Sequence, residues 1–149
     1  KNSGMHLAGR KAGIEFKTDR NIYPTVQAHS VIEYVKNDLG DMDKSNQMME
    51  ELYKRYFEQG QNINSVPVLQ EVCEKFGITD KDLVKTVAED AERHQKVFEK
   101  DKMYKTRMNI HGVPFYIIES NDGRTTGFSG AQPSEMIAEY LEAAAGLES

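Results

Sequence analysis

Cysteine is nearly absent: Cys73 is the only one in 149 residues. One thiol closes no internal disulfide, so this is not a stapled secreted scaffold. Nor is there a second thiol to resolve a mixed disulfide, as two-electron thiol chemistry requires. No apolar run approaches the length that spans a bilayer, and no basic-then-apolar start marks a secretory signal. The expectation is a cytoplasmic chain without a membrane partner. It opens on Lys1 rather than Met and reads as a processed or truncated piece, so the missing signal weighs little. Excess positive charge is lacking too. The net charge is −5 with 29% charged residues, which makes neither nucleic acid nor an anionic membrane an obvious partner.

Metal and nucleophile patterns are also missing. The four histidines, His6, His29, His94 and His111, include no pair four residues apart. No Cys or acidic cluster completes a ligand set, so no metal and no cofactor are expected. There is no Gly-x-Ser-x-Gly elbow and no phosphate-cradling glycine loop. Acidic pairs such as Glu50-Glu51 and Asp80/Asp82 read as solvated helix faces.

What is present is a series of helical apolar periods punctuated by glycine. Met5 to Ala12 reads as a helix tail stopped by Gly13. Thr25 is a candidate N-cap for a helix running through Val26, His29, Ile32 and Leu39 to Gly40. After a turn at Asp41–Lys44, Ser45 is expected to cap a helix whose apolar face is Met48, Met49, Leu52, Tyr53, Tyr56 and Phe57, ended by Gly60. Ser65 opens a short helix through Phe76. There Cys73 shares the apolar register of Leu69 and Val72, which predicts a buried, inert thiol. Thr79 is expected to cap the next helix, with Asp80 and Asp82 favourably placed in its first turn. Its period runs to about Met108, too long for one globular helix, so a break is predicted near Glu89–Glu92. His94 falls in the apolar register and is read as a structural histidine.

The register changes after His111-Gly112-Val113-Pro114. Phe115 to Glu119 is apolar, aromatic and β-branched, as strands are. Asn121-Asp122-Gly123 supplies a turn, and Thr125 to Ser129 returns antiparallel. Pro133 then opens a last helix, whose covering face is Met136, Ile137, Tyr140, Leu141 and Ala144. A proline before the first strand removes a donor from the sheet edge. A cis Val113–Pro114 bond would turn the Val113 backbone toward an extended peptide, whereas spacing alone favours an ordinary trans bond.

Gly112-Val113-Pro114-Phe115, the hairpin and Ser129-Gly130-Ala131-Gln132-Pro133 together resemble the C-terminal half of DsbA-family proteins, most nearly the FrnE-like branch. Ala12 to Phe16, Ala28-His29 and Tyr56-Phe57 extend the resemblance through nearly the whole chain. Kappa-class glutathione transferases and 2-hydroxychromene-2-carboxylate isomerases carry Trp-Gly-x-Asp/Glu-Arg at the second motif, so they fit less well. The resemblance implies an α/β class, a DsbA-like thioredoxin fold with a helical insertion. Residues 1–110 would be the insertion and residues 111–149 the cis-proline, hairpin and helix of the thioredoxin half. It implies protein thiol–disulfide oxidoreductase activity, with the catalytic dithiol upstream of Lys1 and no catalytic residue in this chain. Gly112, Val113 and Pro114 would bind an extended peptide or protein thiol substrate. His29 either faces the active site or packs helices, and His111 either tunes a neighbouring thiolate or has no special role. The strand edge would be covered by the missing N-terminal βαβ segment or by a second copy. The alternatives are a redox-inactive peptide-binding module and a glutathione-dependent isomerase or transferase relative.

Overall fold

The computed structural model describes residues 4–147. Among them six α-helices precede and one follows a single two-stranded antiparallel sheet. The helices are α1 (Gly4–Lys11), α2 (Val26–Glu33), α3 (Met42–Phe57), α4 (Val66–Lys75), α5 (Lys81–Glu89), α6 (Ala91–Arg107) and α7 (Ser134–Ala145). Strand β1 is Phe115–Glu119 and β2 is Thr125–Ser129. The chain forms two compact units, one up to Glu99 and one from Lys100 onward. The division falls inside α6 rather than at the 110/111 junction read from the sequence, because that helix runs unbroken to Arg107.

The first unit owns the core. Val35, Met48, Val72 and Ala88 are fully enclosed, and Val31, Leu52, Leu69 and Cys73 nearly so. Each comes from the apolar stripe of its helix, and burying such stripes is what makes helices of this length stable. Glycine ends the helices by going left-handed, with φ of 68° at Gly60 and 83° at Gly77, where a Cβ would be penalised.

The caps differ from those expected. Asp41, not Ser45, caps α3, its carboxylate accepting from the Lys44 N–H at 2.9 Å. Ser45 lies inside the helix, buried, with its hydroxyl donating to the Met42 carbonyl at 2.8 Å. Asp80, not Thr79, caps α5 by accepting from the Leu83 N–H at 2.9 Å. A carboxylate there also meets the positive end of the helix dipole, which a hydroxyl does not. Thr25 and Ser65 occupy cap positions without making the side-chain bond.

Between α2 and Leu39 the helix widens into a π-helical turn, Tyr34–Asp38, which no residue spacing announces. Both ends of that turn meet Arg93 of α6. Its guanidinium makes two bonds to the Asp38 carboxylate, at 3.1 and 2.7 Å, and lies 5.3 Å from the centre of the Tyr34 ring. The predicted break near Glu89–Glu92 is at Asp90, whose carboxylate accepts from the Glu92 and Arg93 N–H groups and so restarts the helix as α6. His94 Nε2 lies 2.7 Å from the Ala88 carbonyl, a bond across that break.

Candidate functional site

The second unit begins as α6 ends. Asn109 adopts φ 52°, the left-handed conformation that asparagine tolerates better than most residues, and this turns the chain out of the helix. The Asn109 side-chain oxygen lies 2.9 Å from His111 Nε2, so the His111 ring is held against its own loop. Gly112 and Val113 follow in the open. A Cβ added at Gly112 would meet nothing within 4 Å, and Val113 is 89% exposed. The Val113–Pro114 peptide is cis.

From Pro114 the hairpin closes. The Gly130 N–H donates to the Pro114 carbonyl at 2.8 Å and the Ser120 N–H to the Arg124 carbonyl at 2.8 Å. In the observed register Tyr116 faces Phe128, Ile117 faces Gly127 and Ile118 faces Thr126. Antiparallel ladders alternate, so Tyr116 and Ile118 spend their backbone groups on β2. Phe115, Ile117 and Glu119 therefore turn their N–H and C=O groups away from β2, and no further strand pairs with β1 among the described residues. Gly123, at φ 82°, makes the tight turn possible.

Side chains hold the hairpin from both faces. Tyr116, Phe128 and Tyr140 of α7 form a ladder of stacked rings, with centroids 4.9 and 4.7 Å apart. On the other face the Phe115 ring crosses Gly127, where an added Cβ would come within 3.2 Å of it. The covering face expected of α7 is only partly used. Ile137 and Ala144 are half-buried, whereas Met136, Tyr140 and Leu141 are 39%, 37% and 53% exposed. A hairpin two strands wide is too narrow to cover a three-turn helix stripe.

His29 belongs to the first unit. It is exposed on α2, at the mouth of a cavity of about 90 Å³ whose floor is Ala28, Ile32, Leu52 and Ile63. Thr25 and Tyr53 stand at the rim, and Met49 also lines the cavity. No spacing marks this rim: Thr25 has the place of a cap and Tyr53 falls in the apolar register of α3, yet Tyr53 is 54% exposed. Gly112, Val113, Pro114 and His111 are brought together by chain continuity in the second unit.

Cys73 is 1% exposed on α4, and burial pushes its thiol up to about 11. It is therefore a poor nucleophile at neutral pH. Among the described residues no group of three or more His, Cys, Asp and Glu side chains is placed to hold a metal ion. No described helix is long and apolar enough to cross a membrane.

No curated protein matches the chain. Residues 3–142 match the DSBA-like thioredoxin domain, with the helical first unit and the proline-led hairpin both inside the match. The chain belongs to the DSBA-like thioredoxin domain family.

Proposed function

We propose that this chain holds extended polypeptide for thiol–disulfide exchange, as a DsbA-type oxidoreductase of the FrnE-like branch. The observation that carries this is the exposed Val113, which leads through Pro114 into β1, a strand whose outer edge is unpaired among the described residues. An extended peptide adds to such an edge through main-chain hydrogen bonds and so is held without regard to most of its side chains. Gly112 leaves the approach to Val113 clear, and Pro114 fixes the entry into the strand.

Exchange itself needs a thiolate to attack a substrate disulfide, releasing one substrate sulfur as a thiolate. A second thiol then resolves the mixed disulfide, leaving the pair oxidised and the substrate reduced by two electrons; oxidation of a substrate is the reverse. Cys73 is buried and alone and fills neither role. In this reading the dithiol is a Cys-x-x-Cys outside these 149 residues, and the chain contributes the peptide-holding backbone at the exposed Val113, ahead of β1. The same burial of Cys73 supports a second reading, a peptide-binding module with no redox step.

The test is amide NMR on the chain, titrated with S-carboxymethylated insulin B chain as an extended probe. Shifts centred on Val113, Phe115, Ile117 and Glu119 are expected, with Tyr116 and Ile118 amides moving least. Shifts confined to other surfaces would remove the proposed edge. Insulin reduction by the chain alone should not exceed the uncatalysed rate, and Cys73→Ser should change nothing. A Cys-x-x-Cys partner segment that restores turnover would favour the first reading over the second.

A further inference from the structure

The cavity below His29 has an apolar floor and an uncharged polar rim: no Lys, Arg, Asp or Glu lines it. The rim groups are uncommitted. Thr25 stands at the N-cap of α2, yet its side chain makes no capping bond. Among the described residues neither the His29 imidazole nor the Tyr53 hydroxyl has a hydrogen-bond partner; the Tyr53 ring leans on Phe57, 6.0 Å between centroids. An apolar pit with a few convergent polar groups at its mouth is the usual construction of a small binding site.

Size and charge narrow the ligand. An apolar cavity of about 150 Å³ holds benzene, six carbons, so by proportion this one, at about 90 Å³, holds about four. Four carbons is a leucine side chain; an indole or phenol ring is too large. With no charged group at the rim, a carboxylate or ammonium entering it would lose water without gaining an ion pair. Neutral amides lose nothing comparable, since imidazole and hydroxyl groups both donate and accept.

We propose that this pit takes the side chain of a branched aliphatic residue, leucine before valine, from a bound polypeptide whose flanking amides hydrogen-bond to Thr25, His29 and Tyr53. The inference rests on the peptide-holding function above for the source of its ligand, and on the cavity alone for its chemistry.

Methyl and amide NMR of the 149-residue chain tests it, with N-acetyl-leucine amide, N-acetyl-glycine amide and free leucine as probes. The leucine amide should move the Ala28, Ile32, Leu52 and Ile63 methyl signals saturably. The glycine amide should leave them in place, and zwitterionic leucine should bind about tenfold more weakly or worse. Thr25→Phe, at an exposed position that makes no cap bond, should close the mouth and abolish the leucine response. No saturable movement in the unaltered chain, or an equal response to all three probes, overturns the proposal. Responses at Val113–Glu119 to the insulin B-chain probe report on the edge separately. Their survival without a response at the pit would sink the pit alone, and failure of both would sink the parent function as well.

Discussion

Cys73 shows how much a single burial decides. Its thiol, raised from 9.0 to about 11 by burial, stays protonated in the folded chain after an unfolded thiol has ionised. Above about pH 9 the unfolded state therefore binds fewer protons than the folded one, and stability falls as pH rises. The contribution is whole below pH 9 and is lost by about pH 11, a change of roughly 2 kcal/mol. Urea unfolding at pH 8 and at pH 10.5 should show this loss, and Cys73→Ala should remove that part of the pH dependence at the cost of a small cavity. A Cys73 thiol that reacts with Ellman's reagent at pH 7 as fast as a free one would contradict the burial. Gly9 has an equally local role. Any Cβ there would come within 2.5 Å of the Phe16 ring, which rests edge-on against Phe57.

Helices α3 and α4 are joined by more than their apolar stripes. Glu51, only 12% exposed at its side chain, accepts from Arg55 at 3.0 Å and from Lys75 at 2.6 Å, and Arg55 reaches Glu71 at 2.7 Å. The Lys75 hydrogen bond, opposed by burial and helped by Arg55, holds the Glu51 carboxyl below its ordinary 4.5. A depressed carboxyl stabilises the fold above pH 4.5, and that contribution is lost as pH falls through the lowered value. Glu51→Gln should therefore cost about 1–2 kcal/mol at pH 7 and progressively less below pH 4.5. Denaturant midpoints of the two proteins at pH 7 and pH 3 measure the difference. A deficit that does not shrink in acid would mean that the loss is one of packing.

Every buried residue of the described chain lies between Gly9 and Ala88; none in α6, the hairpin or α7 is buried. The second unit thus keeps Val113, Ile117, Met136, Leu141 and Leu147 in water beside an unpaired strand edge. Open apolar edges are templates for pairing with another chain. We propose that two copies pair antiparallel about Ile117, setting Phe115 of each opposite Glu119 of the other, since these are the residues whose backbone groups face outward. Sedimentation should show association that rises with concentration and weakens in Ile117→Lys. A monomer at every concentration would overturn this pairing, and competition by the insulin B-chain probe would show that peptide and second copy share the edge.

The sequence by itself determined the helices, the hairpin and the burial of Cys73. Apolar spacing and a left-handed stop at glycine are local properties, written in residues a few positions apart. The break at Asp90 was legible for the same reason: one uninterrupted period was too long for one helix. Only the tertiary structure decided the caps at Asp41 and Asp80, because which polar side chain reaches the free N–H groups depends on the angle at which the chain enters the helix. It also decided that Tyr53 faces water while Leu52, one residue before it, is core. A stripe shows which side of a helix is apolar and not how far its neighbours extend to cover it. The π-helical turn against Arg93 and the pit under His29 are likewise made by residues far apart in the chain, and the edge of β1 is open only because no other described strand comes beside it, which no local pattern records.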